Sequence, residues 1–282
     1  MTKTYFEARQ WASFTLKDNS EFNTLTDVDF IMTHLFNISQ VQLLIKNQTE
    51  MASKDWQEFQ RVVNEIATGV PPQYAIGKAD FYGMQLKVNQ QVLIPRVETE
   101  ELIDWILEST TEIKDESLRF LDIGTGSGAI AIAIKKNRPN FNVTASDISS
   151  EALKIASENA KEQNVDISFI LSDVFDNISD KYDIIVSNPP YISESEIGDM
   201  GDSVVKYEPA LALFAPDDGL AVYKRIIANL DQHLNGSGML FFEIGFQQEQ
   251  AVEKLLTKHF DEASVTSRHD VAGNQRMIKL KK

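Results

Sequence analysis

The sequence predicts an α/β protein: a mostly parallel sheet covered by helices on both faces, its last strand antiparallel, with a small helical region ahead of it. Three observations predict this. From Arg119 onward, short β-rich runs alternate with helical stretches, the pattern of strand–helix–strand units. Before about residue 77, apolar residues instead recur at helical spacing. At the far end, two β-rich runs are joined by a turn too short for a parallel crossover. A chain of 282 residues accommodates about two domains, each long enough to bury a core.

The helical part comes first. Tyr5, Phe6, Trp11, Phe14 and Leu16 form one apolar set. Val28, Ile31, Met32, Leu35 and Phe36 form a second, and Trp56, Phe59, Val62, Val63 and Ile66 a third. Asp27 and Ser53 are the expected N-caps. Gly69 with Pro71-Pro72 closes the region. Alternation around Gly83 predicts a hairpin over 80–94, and a helix follows over 98–108. The boundaries are drawn at 1–77 for the helical domain, 78–97 for a β-hairpin linker and 98–282 for the α/β domain. Strands are expected over 120–124, 142–147, 167–172, 182–187 and 239–245. Helices are expected over 129–137, 150–164, 219–234 and 247–260. A hairpin of 264–269 with 276–280 ends the sheet.

Composition narrows the function. Hydrophobic residues make up 43% and charged residues 24%, which argues against wholesale disorder. Cysteine is absent, so disulfides, thiolate nucleophiles and Cys-ligated metals are excluded, and a cytoplasmic location is expected. The opening residues lack a basic segment followed by an apolar one, and no apolar run approaches the ~20 residues of a membrane span. His34, His233, His259 and His269 are scattered without ligand spacing, so no metal site is expected. The formal net charge is −15, of which −3 falls on residues 1–80 and −12 on the rest. Phosphate contacts need a basic surface, so direct nucleic-acid binding is not expected and a basic protein is the better partner.

Two constellations carry chemistry. The first is Asp122-Ile123-Gly124-Thr125-Gly126-Ser127-Gly128, where a strand gives way to a helix. Glycine there permits a tight turn and close approach to a ligand. The spacing is neither the G-x-G-x-x-G fingerprint of dinucleotide sites nor a P-loop. Asp147 ends the next strand, where an acid can accept from both hydroxyls of a ribose. The alternative is a plain turn with Asp147 capping the helix after Ser149. Asp173 ends the third strand, and Val174 beside it is a candidate contact for a base. The second constellation is Ser187-Asn188-Pro189-Pro190-Tyr191, after the fourth strand. Two prolines fix the backbone and remove donors. The Asn188 side chain and main-chain carbonyls then offer acceptors for an –NH2 group, and Tyr191 offers a flat face to a planar acceptor.

This combination resembles the class I S-adenosylmethionine-dependent methyltransferases, whose sheet is Rossmann-like, and in particular the branch acting on planar nitrogens. Further segments follow in order: Pro72-Gln73-Tyr74-Ala75-Ile76-Gly77, Ile94-Pro95-Arg96-Val97-Glu98-Thr99-Glu100, Tyr207-Glu208-Pro209, Asp218-Gly219-Leu220 and Glu243-Ile244-Gly245. The series resembles the release factor glutamine methyltransferases, the PrmC/HemK family. Val97 departs from the family's usual proline, and Val174 from its frequent aromatic.

The resemblance implies an enzyme that methylates the side-chain amide of the glutamine in the Gly-Gly-Gln motif of class-1 peptide chain release factors. S-adenosyl-L-methionine would be the cofactor. Carried over, Gly124, Thr125, Gly126, Ser127, Gly128, Asp147, Val174 and Asn188 would bind or border it. Asn188, Pro189, Pro190 and Tyr191 would bind the glutamine, with Asn188, Pro189 and Tyr191 catalytic. The helical domain would recognise the protein substrate. Arg96, Glu98 and Glu100 receive no role. Readings that remain open are a glutamine methyltransferase of a ribosomal protein and a methyltransferase of adenine N6 or guanine N2. An NAD-dependent dehydrogenase and a non-enzymatic module explain less.

Overall fold

A computed structural model describes residues 3–19, 22–113 and 117–282. Two compact units result, one of residues 1–78 with 201–207 and one of 79–200 with 208–282.

The first unit is helical: α1 (Tyr5–Thr15), α2 (Leu25–Phe36), α3 (Gln40–Ile45), α4 (Ser53–Ala67) and α5 (Pro72–Ile76). The apolar sets turn most of their members inward, and Ala8, Ile31, Met32, Phe59, Val62 and Val63 are fully buried, but Phe6 and Phe14 of the first set are exposed on the outer side of α1. Trp11 meets Trp56 edge-on at 5.0 Å between ring centres. The expected caps need correction. Thr24, not Asp27, is the N-cap of α2, and Asp27 is the third helical residue that closes the capping box by accepting from Thr24 N at 2.8 Å. Ser53 is the first residue of α4, which starts without a side-chain cap.

The second unit opens with the hairpin of β1 (Lys78–Phe81) and β2 (Met84–Lys87). Tyr82 and Gly83 both have positive φ, +48° and +70°, as a two-residue primed turn requires. The strands stop at Lys87, short of the expected 94, because 88–96 pairs with no strand. Then come α6 (Val97–Ser109), β3 (Arg119–Ile123), α7 (Ala129–Asn137), β4 (Asn142–Asp147), α8 (Ser150–Glu162), β5 (Ser168–Leu171) and β6 (Tyr182–Ser187). A 3₁₀ turn (Glu194–Asp199) and the short helices α9 (Asp202–Tyr207) and α10 (Ala210–Leu213) follow. Of these, α9 belongs to the first unit, where Tyr207 donates to the Thr68 carbonyl at 3.1 Å. The chain ends with α11 (Ala221–His233), β7 (Leu234–Glu243), α12 (Glu249–His259), β8 (Ser264–His269) and β9 (Gln275–Lys281).

The seven-stranded sheet has the order β5-β4-β3-β6-β7-β9-β8. Strands β3 to β7 pair in parallel, and β9 lies antiparallel between β7 and β8. This is the architecture expected from the sequence. Alternation separates two cores: Phe120, Ile184, Val186 and Phe241 face one cluster, and Leu121, Ile185, Leu240 and Phe242 face the other. The isoleucines of α7 pack on the first, and Tyr223, Ile226 and Leu230 of α11 on the second. A sheet buried on both faces explains the nearly continuous apolar strands.

Candidate active site

The register of three adjacent strands builds the site. Ile123 of β3 lies opposite Ser146 of β4 on one side and Ser187 of β6 on the other. The residues just beyond, Gly124, Asp147 and Asn188, therefore leave the same sheet edge side by side. The order reverses at β3, where open α/β sheets form a ligand crevice. The Ser187 hydroxyl donates to the Ile123 carbonyl at 2.7 Å and pins the two strand ends together.

Gly124, Gly126 and Gly128 all have positive φ, between +56° and +85°, so the turn could not be made comfortably with other residues. The amides of Gly124 and Thr125 donate to the Ser146 carbonyl, both at 2.9 Å. Gly126 N donates to Asp147 Oδ2 and Ser149 N to Asp147 Oδ1, again at 2.9 Å. Asp147 thus keeps one acceptor position on each oxygen free of these two amides. Burial holds its carboxyl above the usual range, against the pull of the Ser149, Gly126 and Ile148 amides. Asp122, fully buried beneath the turn, is pushed up to about 7 by burial, although the Thr125 hydroxyl donates to it at 2.7 Å.

A cavity of about 480 Å³ opens over this edge, within the ~300–1,000 Å³ typical of small-molecule sites. Gly124, Thr125, Gly126, Ser127, Asp147, Val174, Asn188, Pro189 and Pro190 line it. Arg96 and Thr99 approach from α6 and its lead-in, and Leu211, Ala212 and Phe214 from α10 and just beyond. Two expected contacts stand back from it. Gly128 caps α7, and a Cβ there would lie 3.1 Å from Ala156 Cβ, so this glycine serves helix packing. Tyr191 packs on the second core cluster, and its hydroxyl is pushed up to about 12, chiefly by burial and then by the Glu243 charge. Val174 has φ +54°, a strained conformation for a β-branched residue. The Ser172 hydroxyl, donating to its carbonyl at 3.0 Å, helps to hold it.

Several residues that shape the site have no role assigned by the sequence. Asn159 of α8 donates to the carbonyls of Ser127 and Lys87 and accepts from Lys87 N at 2.7 Å, clamping the glycine turn to the hairpin. Gln248 donates to the Tyr191 carbonyl at 2.8 Å. A Cβ on Gly219 would fall 1.9 Å from that same oxygen. Of the residues left without a role, Arg96 pairs with buried Glu208 at 2.5 Å, and Glu100 accepts from Tyr82 N at 2.7 Å. These links span distances in sequence at which no local signal survives.

A reversal point in a parallel sheet, carrying a glycine turn beside an acid and an Asn-Pro-Pro hook, is the arrangement that the resemblance to class I methyltransferases leads one to expect. Comparison agrees. Residues 105–207 match the methyltransferase small domain and residues 7–77 the PrmC N-terminal domain. The release factor glutamine methyltransferase of Streptococcus pneumoniae is 48% identical over 252 residues, covering 89% of each chain. That of Bacillus subtilis is 38% identical over 281 residues, covering 98% of this chain and 97% of its own. Among solved structures, a methyltransferase from Pyrococcus furiosus superposes with a TM-score of 0.51 at 18% identity, covering 71% of this chain and 89% of its own. The T. thermophilus 16S rRNA N2 G1207 methyltransferase, solved with AdoMet and guanosine, gives 0.52 at 16% identity, covering 73% and 49%. These two share the fold. The chain belongs to the release factor glutamine methyltransferase family, the class I methyltransferases called PrmC/HemK.

Proposed function

We propose that this protein transfers a methyl group from S-adenosyl-L-methionine to the side-chain amide nitrogen of the glutamine in the Gly-Gly-Gln motif of class-1 peptide chain release factors. The observation that carries the reading is the shared cavity: the glycine turn, Asp147 and the Asn188-Pro189-Pro190 hook line one space. The donor set fits the cofactor. Asp147 has acceptor positions for two ribose hydroxyls, the turn brings bare backbone close, and Val174 offers an apolar edge for the adenine. When bound, S-adenosyl-L-methionine supplies a methyl group on positively charged sulfur, a strong electrophile.

The protein must supply orientation, because an amide nitrogen is planar and its lone pair is shared with the carbonyl. Asn188 Oδ1 and the Pro189 main-chain oxygen each accept one N–H of the glutamine, holding the nitrogen toward the methyl donor. Tyr191, packed on the second core cluster and fixed through its carbonyl by Gln248, anchors the hook from behind the cavity. Orientation of this kind is worth ~7–11 kcal/mol, and fixed carbonyl dipoles stabilise the positive charge that develops on nitrogen. The product loses its proton to water. A surface of net charge −15 suits a basic protein partner better than a nucleic acid.

The test is to incubate the enzyme with labelled donor and, in separate tubes, with a class-1 release factor, ribosomal proteins and duplex DNA, then locate the label by mass spectrometry. Label on the Gly-Gly-Gln glutamine is expected; label confined to DNA or to a ribosomal protein would overturn the proposal. Asn188→Ala should lower turnover on the release factor about 10²–10³-fold, as loss of one aimed dipole does elsewhere, with donor affinity nearly unchanged.

A further inference from the structure

The hook has a polar support that the cavity alone does not reveal. Thr99 of α6 is 5% exposed and Glu243, at the end of β7, 1%. The Thr99 hydroxyl donates to Glu243 Oε2 at 2.6 Å, and Asn188 Nδ2 donates to Thr99 Oγ1 at 3.2 Å. We infer that this buried chain, Asn188 to Thr99 to Glu243, is an orienting device for methyl transfer, with Thr99 and Glu243 as positioning residues that select which end of the Asn188 amide faces the substrate. The inference rests on the proposed amide acceptor.

The reasoning is one of donors and acceptors. The two ends of an Asn side chain have nearly the same shape but opposite hydrogen-bonding character. If the NH2 end faced a substrate amide, two donors would oppose each other. An ionised Glu243 can only accept, so it takes the single hydroxyl proton of Thr99. The Thr99 oxygen can then only accept from Asn188, which assigns Nδ2 to Thr99 and leaves Oδ1 for the incoming N–H. Breaking the chain costs twice: the amide loses its preferred orientation, and a buried carboxylate loses a partner. Burial pushes the Glu243 carboxyl up to about 7, so it is chiefly ionised at pH 8; the Thr99 hydroxyl, the Arg276 charge and a hydrogen bond from Asn188 favour the ionised form, and Glu98 opposes it.

The test is a double-mutant cycle at pH 8, with kcat, KM for the release factor and donor Kd measured for each enzyme. Thr99→Val removes the hydroxyl at constant shape and should lower kcat about 10–100-fold, the scale seen when an outer partner of a catalytic group is lost. Donor Kd and KM should move far less. Thr99→Ser restores the hydroxyl and should recover most of the loss. In an Asn188→Ala background, Thr99→Val should cost less than about 2-fold, because the group it orients is gone. An equal cost in both backgrounds, or no loss of kcat in Thr99→Val, overturns the orienting role. Absence of glutamine methylation by the unsubstituted enzyme overturns the proposed function itself, and the orienting role with it.

Discussion

Asp122 and Asp147 are the same residue type on neighbouring strands, and their surroundings divide their work. Asp147 reaches the cavity and accepts from the backbone amides of the turn and of the lead-in to α8. Asp122 sits beneath the turn, fully buried, with its carboxyl pushed up to about 7 by burial. Asp147→Ala should weaken donor binding, read by calorimetry, by about 10-fold or more, since a charged acceptor of hydrogen bonds is worth ~1.5–3 kcal/mol; an unchanged Kd would remove its ribose assignment. For Asp122 the sign follows from proton counting. Between the ordinary carboxylate range and pH 7 the folded protein keeps a proton that the unfolded chain has lost, so stability falls as pH rises through that window. Asp122→Asn should therefore flatten the decline in Tm between pH 5 and pH 8; a slope equal to the parent's would contradict the burial effect. Asp147 and Asn188 could be found in the sequence because each ends a strand beside a recognisable turn. Thr99 stands in the family series without a role and Asn159 in no motif at all, because their partners lie 144 and 72 residues away.

The connection between β6 and α11 carries most of the surprise. Strands and long helices were readable because their apolar periods differ, 2 against 3.6, and the cores enforce the difference. The short helices α9 and α10 have too few turns for a period to emerge. They are held instead by particular bonds, such as Ile192 N to the Leu213 carbonyl at 3.0 Å and Ala215 N back to Ile192 at 3.0 Å. The N-caps went astray for a similar reason: Asp27 and Thr24 both satisfy the composition rule, and only the local backbone decides between them. Gly219 lies just ahead of α11 with φ +78°, against the Tyr191 carbonyl. Gly219→Ala must push that carbonyl away and shift the hook. Methyl transfer should fall at least about 100-fold, the scale expected when a reacting group is displaced by an ångström, while donor Kd changes little. Full activity would mean that the hook tolerates the movement.

Charge is a property of the molecule taken whole. At −15 the protein attracts basic partners over a range set by the Debye length, about 8–10 Å at physiological salt. For a basic protein substrate, kcat/KM should fall several-fold as salt rises from about 50 to 500 mM, with kcat itself nearly constant; a flat response would show that encounter is not electrostatically guided. The acidic balance was plain from composition alone. The grouping of 201–207 with the helical unit was not, because nothing local to those seven residues marks their partners.

The antiparallel insertion of β9 between β7 and β8 bears on how the protein is made. As the chain leaves the ribosome, β7 has one flank paired with β6 and the other bare until 275–281 are synthesised. A truncated product lacking that stretch would present an open, strongly apolar strand, the kind of margin that recruits other chains. Shortened products should accordingly clump rather than persist as soluble, slightly weakened catalysts.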